Sequence, residues 1–104
     1  MRLNDDSVKW VNMHPQASWA SMEVDKIYRK HMDLELVVTS ANDSHESGLH
    51  PEGKAFDCRT WIAGEQWDSG IRYFIVDKIR LALGSDFDVI GETDHIHVEY
   101  DSHA

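Results

Sequence analysis

Two short segments of the sequence carry side chains suited to metal chemistry. They are residues 50–57, with the sequence HPEGKAFD, and residues 94–97, with the sequence DHIH. His50, Asp57 and His97 offer two imidazoles and a carboxylate, which are ligand types that zinc prefers. A zinc site with three protein ligands keeps a fourth position open for water, which is the arrangement of catalytic sites. These residues therefore predict a small zinc hydrolase.

The second segment also supplies residues for proton transfer. Asp94 precedes His97 by three positions, in a predicted turn, so its carboxylate could lean over the metal without binding it. A carboxylate there would take a proton from the attacking water and deliver it to the leaving amine. His95 shares a predicted strand face with His97 and could hydrogen-bond the developing oxyanion or orient a ligand. We expect Asp94 and His95 to be the catalytic residues.

Each of these residues also has an ordinary structural interpretation. Asp57 would be a charged strand residue in a salt bridge, His50 a loop histidine, and His95 and His97 surface residues facing a neighbouring strand. Taken singly, each of these roles is commoner than metal binding. Taken together, these roles do not explain why Asp57, His95 and His97 all lie on strand faces opposite the apolar, core-facing ones.

Four predicted strands and two predicted helices position these groups. The strands are residues 34–39, 54–60, 87–90 and 95–100, which are rich in β-branched and aromatic residues or alternate in polarity. Alternation places Phe56 and Cys58 on the core face of their strand and Asp57 on the opposite face. It places Ile96 on the core side and His97 on the other. The two ligands converge if their strands are neighbours.

The helices are predicted from Pro15 to about His31 and from about Asp68 to Leu83. Each has apolar residues at steps of three and four, and the strongest stripe is Ile71, Ile75, Ile79 and Leu83, flanked by Phe74 and Ala82. Residues 40–53, which include His45 and His50, are predicted as a loop, and residues 101–104 as a tail. We expect one α+β domain over residues 1–104, with a small antiparallel sheet packed against two main helices.

Composition excludes several partners. The chain has 104 residues and a formal net charge of −9 with no run of Lys or Arg. Nucleic acids and anionic membrane surfaces need clustered positive charge, so we expect neither as a partner. Cys58 is the single cysteine, so no internal disulfide forms, which fits a reducing compartment. The first residues lack the apolar core of a signal peptide.

The two segments resemble the zinc DD-carboxypeptidase and L-alanyl-D-glutamate endopeptidase family, which has the Hedgehog/DD-peptidase fold. That family's pattern is Ser-x-His-x-x-Gly-x-Ala-x-Asp, followed late in the chain by Asp/Glu-x-x-His or His-x-His. The matching residues here are His50, Gly53, Ala55, Asp57, Asp94, His95 and His97. The resemblance covers roughly residues 34–101.

The resemblance implies zinc on His50, Asp57 and His97, with Asp94 as the acid/base. It implies cleavage of a peptide bond in the peptidoglycan stem peptide, by a carboxypeptidase or an endopeptidase. Size and the absence of a signal peptide favour a phage endolysin type, made in the cytoplasm and released to the cell wall by another factor.

The sequence departs from the family pattern at two places. Gly48 stands where the family has Ser, and no Arg follows Thr39-Ser40, where many members carry one that assists the substrate carbonyl. Arg59, Lys54 or His45 could replace that Arg. A second register is also open, because Glu92 stands three residues before His95. A non-catalytic zinc-binding or phage structural module and a metal-free α+β domain therefore stay as alternatives.

Overall fold

The computed structural model describes residues 1–41 and 53–101. The predicted loop residues 42–52, which include His45 and His50, and the tail residues 102–104 lie outside the described residues. The described residues form two helices and seven short strands, in chain order β1 (Arg2–Leu3), α1 (Pro15–Met32), β2 (Val37–Ser40), β3 (Ala55–Arg59), β4 (Trp61–Ile62), β5 (Glu65–Gln66), α2 (Ser69–Leu83), β6 (Phe87–Gly91) and β7 (His95–Tyr100).

Five of the strands form one sheet in the order β1-β2-β3-β7-β6, and β4 and β5 form a separate hairpin. All neighbours in the main sheet are antiparallel except β1 and β2, which run parallel. The predicted α+β class with two helices is therefore confirmed. The wholly antiparallel sheet is corrected to a mostly antiparallel one, because a two-residue strand near the N-terminus pairs with β2.

One face of the sheet packs against both helices. Phe56, Cys58, Ile96 and Val98 alternate along β3 and β7 and are buried with core residues of α1 and α2. The predicted alternation of both strands is confirmed by this burial. Because successive strand residues point to opposite faces, the residues between them form the other face.

The apolar stripe of α2 is narrower than the sequence suggests. Ile75, Val76, Ile79 and Leu83 are buried, whereas Ile71, Phe74 and Ala82 are exposed. The expectation that Ile71 belongs to the buried stripe, flanked by Phe74 and Ala82, is therefore wrong. Val76 is buried because α2 turns this side towards β6. Gly91 of β6 has no side chain, so the side chain of Val76 can approach it closely.

Local signals in the sequence explain where the helices begin and end. Pro15 is the first residue of α1, where its missing N–H costs nothing, and Asp33 ends the helix in a left-handed conformation. The Asp68 carboxylate caps α2 by accepting a hydrogen bond from the Ile71 N–H. Gly84 follows the last turn of α2 and donates its N–H to the Arg80 carbonyl.

Gly53 fixes the approach to β3. Its φ is +67°, which favours glycine, and a Cβ at this position would clash with the backbone of Asn12. The Gly53 carbonyl accepts a hydrogen bond of 2.9 Å from the N–H of His14, next to the start of α1. The start of α1 and the approach to β3 are therefore held together through one residue without a side chain.

Strand β6 is the last strand of the sheet, and its unpaired edge is covered at the carbonyl of Val89. The Arg80 guanidinium donates to the Val89 carbonyl from Nε at 3.0 Å and from Nη2 at 2.6 Å. In the described ranges, neither helix has the length and apolarity needed to cross a bilayer.

Candidate functional site

Strands β3 and β7 bring two of the three predicted metal ligands together. Asp57 lies directly opposite His97 in the antiparallel register. Asp57 Oδ1 is 2.8 Å from His97 Nδ1. The exposed fraction of the two side chains is 18% and 12%, so water reaches the pair only in part. This contact was expected if the two strands were neighbours, and they are.

His97 lies between two carboxylates. Its Nδ1 faces Asp57, and its Nε2 is 3.0 Å from Glu99 Oε1. The hydrogen bond with Asp57 is the main cause that raises the pKa of His97 to about 9; burial opposes it and Glu99 adds to it. Because this value exceeds 7, the imidazole of the metal-free protein is protonated at neutral pH, and its positive charge is shared between both carboxylates.

The predicted catalytic residues Asp94 and His95 contact each other. Asp94 Oδ1 is 2.7 Å from His95 Nδ1. His95 Nε2 in turn is 3.9 Å from Asp57 Oδ1. The structure thus places His95 between Asp94 and the pair formed by Asp57 and His97. The hydrogen bond with His95 lowers the pKa of Asp94, so this carboxyl is ionised at neutral pH.

Asp57, His95 and His97 border a cavity of about 280 Å³ on the polar face of the sheet. The lining residues that matter here are His95, His97, Glu99, Asp88 and Glu92. Glu92, the alternative acid/base of the sequence, lines this cavity, whereas Asp94 is 71% exposed and touches the row of side chains through His95.

Two acidic residues of this cavity were not singled out as functional from the sequence. Alternation along β7 puts Glu99 on the same face as His97, but its contact with His97 depends on side-chain rotamers. Asp88 enters because β6 pairs with β7 and sets it opposite Glu99. The sequence feature that indicates both residues is a polar side chain on the face opposite the core in two strands that pair with each other.

The third predicted ligand, His50, lies outside the described residues. Within residues 1–41 and 53–101, no group of three His, Cys, Asp or Glu side chains is arranged to hold a metal ion. A zinc site on this face would thus need a ligand in addition to Asp57 and His97. The predicted ligand set names His50 for that place, four residues before Lys54.

The side chains proposed to replace the family's Arg fall in different places. Arg59 lies opposite His95 in the register of β3 and β7. Its guanidinium donates to the Asn4 side chain and stacks on Trp61, with 5.1 Å between Cζ and the ring centroid. His45 lies outside the described residues.

Cys58 is fully buried on the core face of β3. Burial raises the pKa of its thiol well above the ordinary value. A thiolate is the reactive form of cysteine, so Cys58 is an inert core residue, as its strand face predicted.

Comparison with family models, curated proteins and solved structures finds no match to this chain.

Proposed function

We propose that this protein is a zinc-dependent peptidase that hydrolyses a peptide bond of the peptidoglycan stem peptide. One observation carries the proposal. A carboxylate and an imidazole, Asp57 and His97, lie 2.8 Å apart on facing strands beside a cavity, at the positions where the sequence pattern has two metal ligands. The assignment of the peptide substrate rests on the resemblance of the two segments to the peptidase family.

The chemistry of the described donors fits zinc. With bonds of about 2.1 Å and tetrahedral angles, two ligand atoms of one zinc ion stand about 3.4 Å apart. Asp57 Oδ1 and His97 Nδ1 share a proton across 2.8 Å, so zinc would have to displace that proton and widen this distance. His50, Asp57 and His97 would hold the ion, with Glu99 on the second ring nitrogen of His97 as the orienting carboxylate.

Zinc bound there would supply a Lewis acid that polarises the scissile carbonyl and acidifies water. Asp94, ionised at neutral pH, would accept a proton from that water and return it to the leaving amine. Its hydrogen bond with His95 is mostly exposed, so it can exchange for a contact with substrate. His95 would donate a hydrogen bond to the oxygen that gains negative charge.

Glu92 is the competing acid/base, because it lines the cavity that His95 and His97 border. The variants Glu92→Gln and Asp94→Asn separate the two assignments, since each removes the charge and keeps the shape. Loss of turnover in Asp94→Asn, with activity retained in Glu92→Gln, is the expected result. The reverse would transfer the role to Glu92.

The test of the function uses zinc-loaded protein and purified peptidoglycan, and the measured quantity is the number of new amino termini. We expect release by the wild type and none above background by Asp94→Ala. Equal release by the two would refute the peptidase proposal.

Metal content tests the ligand assignment separately. His97→Ala is expected to lose zinc, whereas Asp94→Ala keeps it, because only the first removes a ligand. His31→Ala is a matched control, since His31 stands near the end of α1 against Phe74. Zinc lost from Asp94→Ala would reverse the two roles.

A second candidate is a zinc-binding or phage structural module that does not catalyse hydrolysis. It is favoured by the absence of an Arg after Thr39-Ser40, where many members of the resembling family carry one that assists the substrate carbonyl. The ion pairs of His97 with Asp57 and Glu99 need no metal and favour a metal-free domain instead. Zinc and stem-peptide binding without release of amino termini would support it. If zinc does not raise the melting temperature, a metal-free domain is favoured, because a ligand of the folded state must stabilise it.

A further inference from the structure

The turn formed by residues 91–94 joins β6 to β7 and carries both candidate acid/base residues. Glu92 and Asp94 stand in it on either side of Thr93. A hydrogen bond of 2.8 Å from the Glu92 N–H to the His95 carbonyl closes its base. The three residues between the strands are exposed. A turn that projects into water has few packing contacts of its own, so its position depends on what holds it from the core side.

Helix α2 holds this turn at two points. The first is Gly91, where a Cβ would stand 3.2 Å from Val76 Cγ2 and 3.7 Å from Arg72 Cγ. The second is the Thr93 carbonyl, which accepts a hydrogen bond of 3.4 Å from Arg72 Nη1. Arg72 takes part in both contacts, through the aliphatic stem at the first and the guanidinium at the second.

The Arg72 side chain is itself enclosed. The residue is half-buried, and its Cζ lies 5.3 Å from the centroid of the Tyr73 ring. Its Nε is buried and has no hydrogen-bond partner within residues 1–41 and 53–101. An unpaired buried donor destabilises a fold, and most buried donors of folded proteins are paired. We attribute the presence of this one to the contact that Nη1 of the same side chain makes with the turn.

The contact with Thr93 bears directly on Asp94. The Thr93 carbonyl and the Asp94 N–H belong to one planar peptide unit and point in opposite directions. The hydrogen bond that keeps the carbonyl turned towards Arg72 therefore keeps the Asp94 N–H turned away from it. This restricts the direction in which the Asp94 side chain leaves the backbone. Glu92 is restricted from the other end of the turn, through its neighbour Gly91.

We propose that Arg72 is a positioning residue for the acid/base carboxylate of the candidate site. It does not border the cavity beside Asp57 and His97, so it acts through the turn and not by contact with substrate. The inference rests on the proposed function, but it holds for either acid/base, because Glu92 and Asp94 share the turn. Without the contact, the turn samples more positions, and fewer of them present a carboxylate to the reacting water.

The variant Arg72→Met tests the proposal, because it removes the donor and keeps an unbranched side chain that can pack beside Gly91. Amide hydrogen exchange of the full chain, measured by nuclear magnetic resonance, reports on the turn without any turnover. We expect the Glu92 N–H to exchange about fivefold faster than in the wild type. The Asp101 N–H, bonded to the Asp86 carbonyl at 2.7 Å at the other end of the same strand pair, should be unchanged. No change at Glu92, or an equal change at both amides, would overturn the proposal.

Turnover of peptidoglycan by the zinc-loaded protein is the second readout. Arg72→Met should lower kcat about tenfold and leave KM nearly unchanged, because the acid/base is displaced while the proposed ligands stay in place. Arg72→Lys, which keeps a charged donor, should recover part of the loss. Lys78→Met is the matched control, since it removes the same charge from the same helix at a side chain that lies over Phe74.

Failure of this inference and failure of the proposed function give different results. If the wild type releases no amino termini, the peptidase proposal fails, and the exchange comparison alone decides whether Arg72 fixes the turn. If the wild type is active and Arg72→Met has the same kcat as Lys78→Met, only the positioning role is overturned. Loss of activity that Arg72→Lys does not recover at all would also overturn it.

Discussion

At the scale of single residues, the candidate site is a row of side chains in which Asp94, Asp57 and Glu99 each contact the imidazole of His95 or His97. Alternation along β3 and β7 was sufficient to place Asp57 and His97 on one face, because strand side chains repeat every second residue. It did not predict that Asp94 would turn towards His95, or that Glu99 would reach the second nitrogen of His97. Those contacts depend on rotamers in a cluster where several partners compete.

Asp25 is a single residue on which the N-terminal part of the fold depends. Its carboxylate accepts from the Leu36 N–H at 2.8 Å and from Arg29 Nε at 2.9 Å, and it is 3.4 Å from the N-terminal ammonium of Met1. Burial acts to raise the pKa of Asp25, but the hydrogen bonds from Leu36 and Arg29 and the nearby ammonium outweigh it and lower the pKa.

We expect Asp25→Asn to lower the free energy of unfolding by about 1–3 kcal/mol at pH 7, because it removes the charge that these donors stabilise. Since the folded pKa lies below the unfolded one, this contribution is present above about pH 4 and is lost as the pH falls. Urea unfolding at pH 7 and at pH 2 measures it. The exposed Asp6→Asn is the control. An equal difference at both pH values would contradict the assignment.

At the scale of elements, long and periodic segments were predictable and very short ones were not. The bounds of α1 and α2 were predicted to within one residue at each end, because Pro15, Asp68 and Gly84 are strong local signals. β1 and the hairpin from Trp61 to Gln66 were missed. A two-residue strand has no period to detect, and the hairpin turns through Ala63, which adopts a positive φ of 52° that its residue type does not suggest.

The cap of α2 gives a prediction at this scale. Asp68→Ala should lower the free energy of unfolding by about 1 kcal/mol, because the Ile71 N–H loses its acceptor. Asp77→Ala is a matched control on the same helix, where the side chain is 72% exposed and its contact with Arg80 is 3.9 Å long. Denaturant unfolding of both variants measures the difference. Equal stabilities would show that the cap contributes little.

At the scale of the whole molecule, charge is distributed unevenly. The cavity beside Asp57 and His97 is lined by Asp88, Glu92 and Glu99. A second concave surface, at the C-terminal end of α1, is lined by Arg2, Arg29 and Arg59, which are three of the chain's ten Lys and Arg residues. This segregation was not readable from the sequence, because the three arginines are far apart along the chain. It results from the meeting of β1, α1 and β3 at one end of the sheet.

The covered edge of β6 has a consequence for the whole molecule. An outer strand with open carbonyls can pair with another chain, and Arg80 occupies the Val89 carbonyl with two donors. We expect Arg80→Ala to form aggregates faster than the wild type under mild heating, measured by light scattering. Lys78→Ala removes the same charge from the same helix and is the control. Equal aggregation of the two variants would assign the effect to charge alone.

The contact between Gly53 and Asn12 connects the segment before α1 with the approach to β3, the strand that carries Asp57. Asp57 stands four residues beyond Gly53, in the strand that begins at Ala55, so we expect a displacement at residue 53 to shift its carboxylate. A methyl group added there would leave every candidate ligand chemically intact while moving one relative to the others. The position of Asp57 therefore depends on a backbone contact beside the first turn of a helix that leaves no room for even a methyl group.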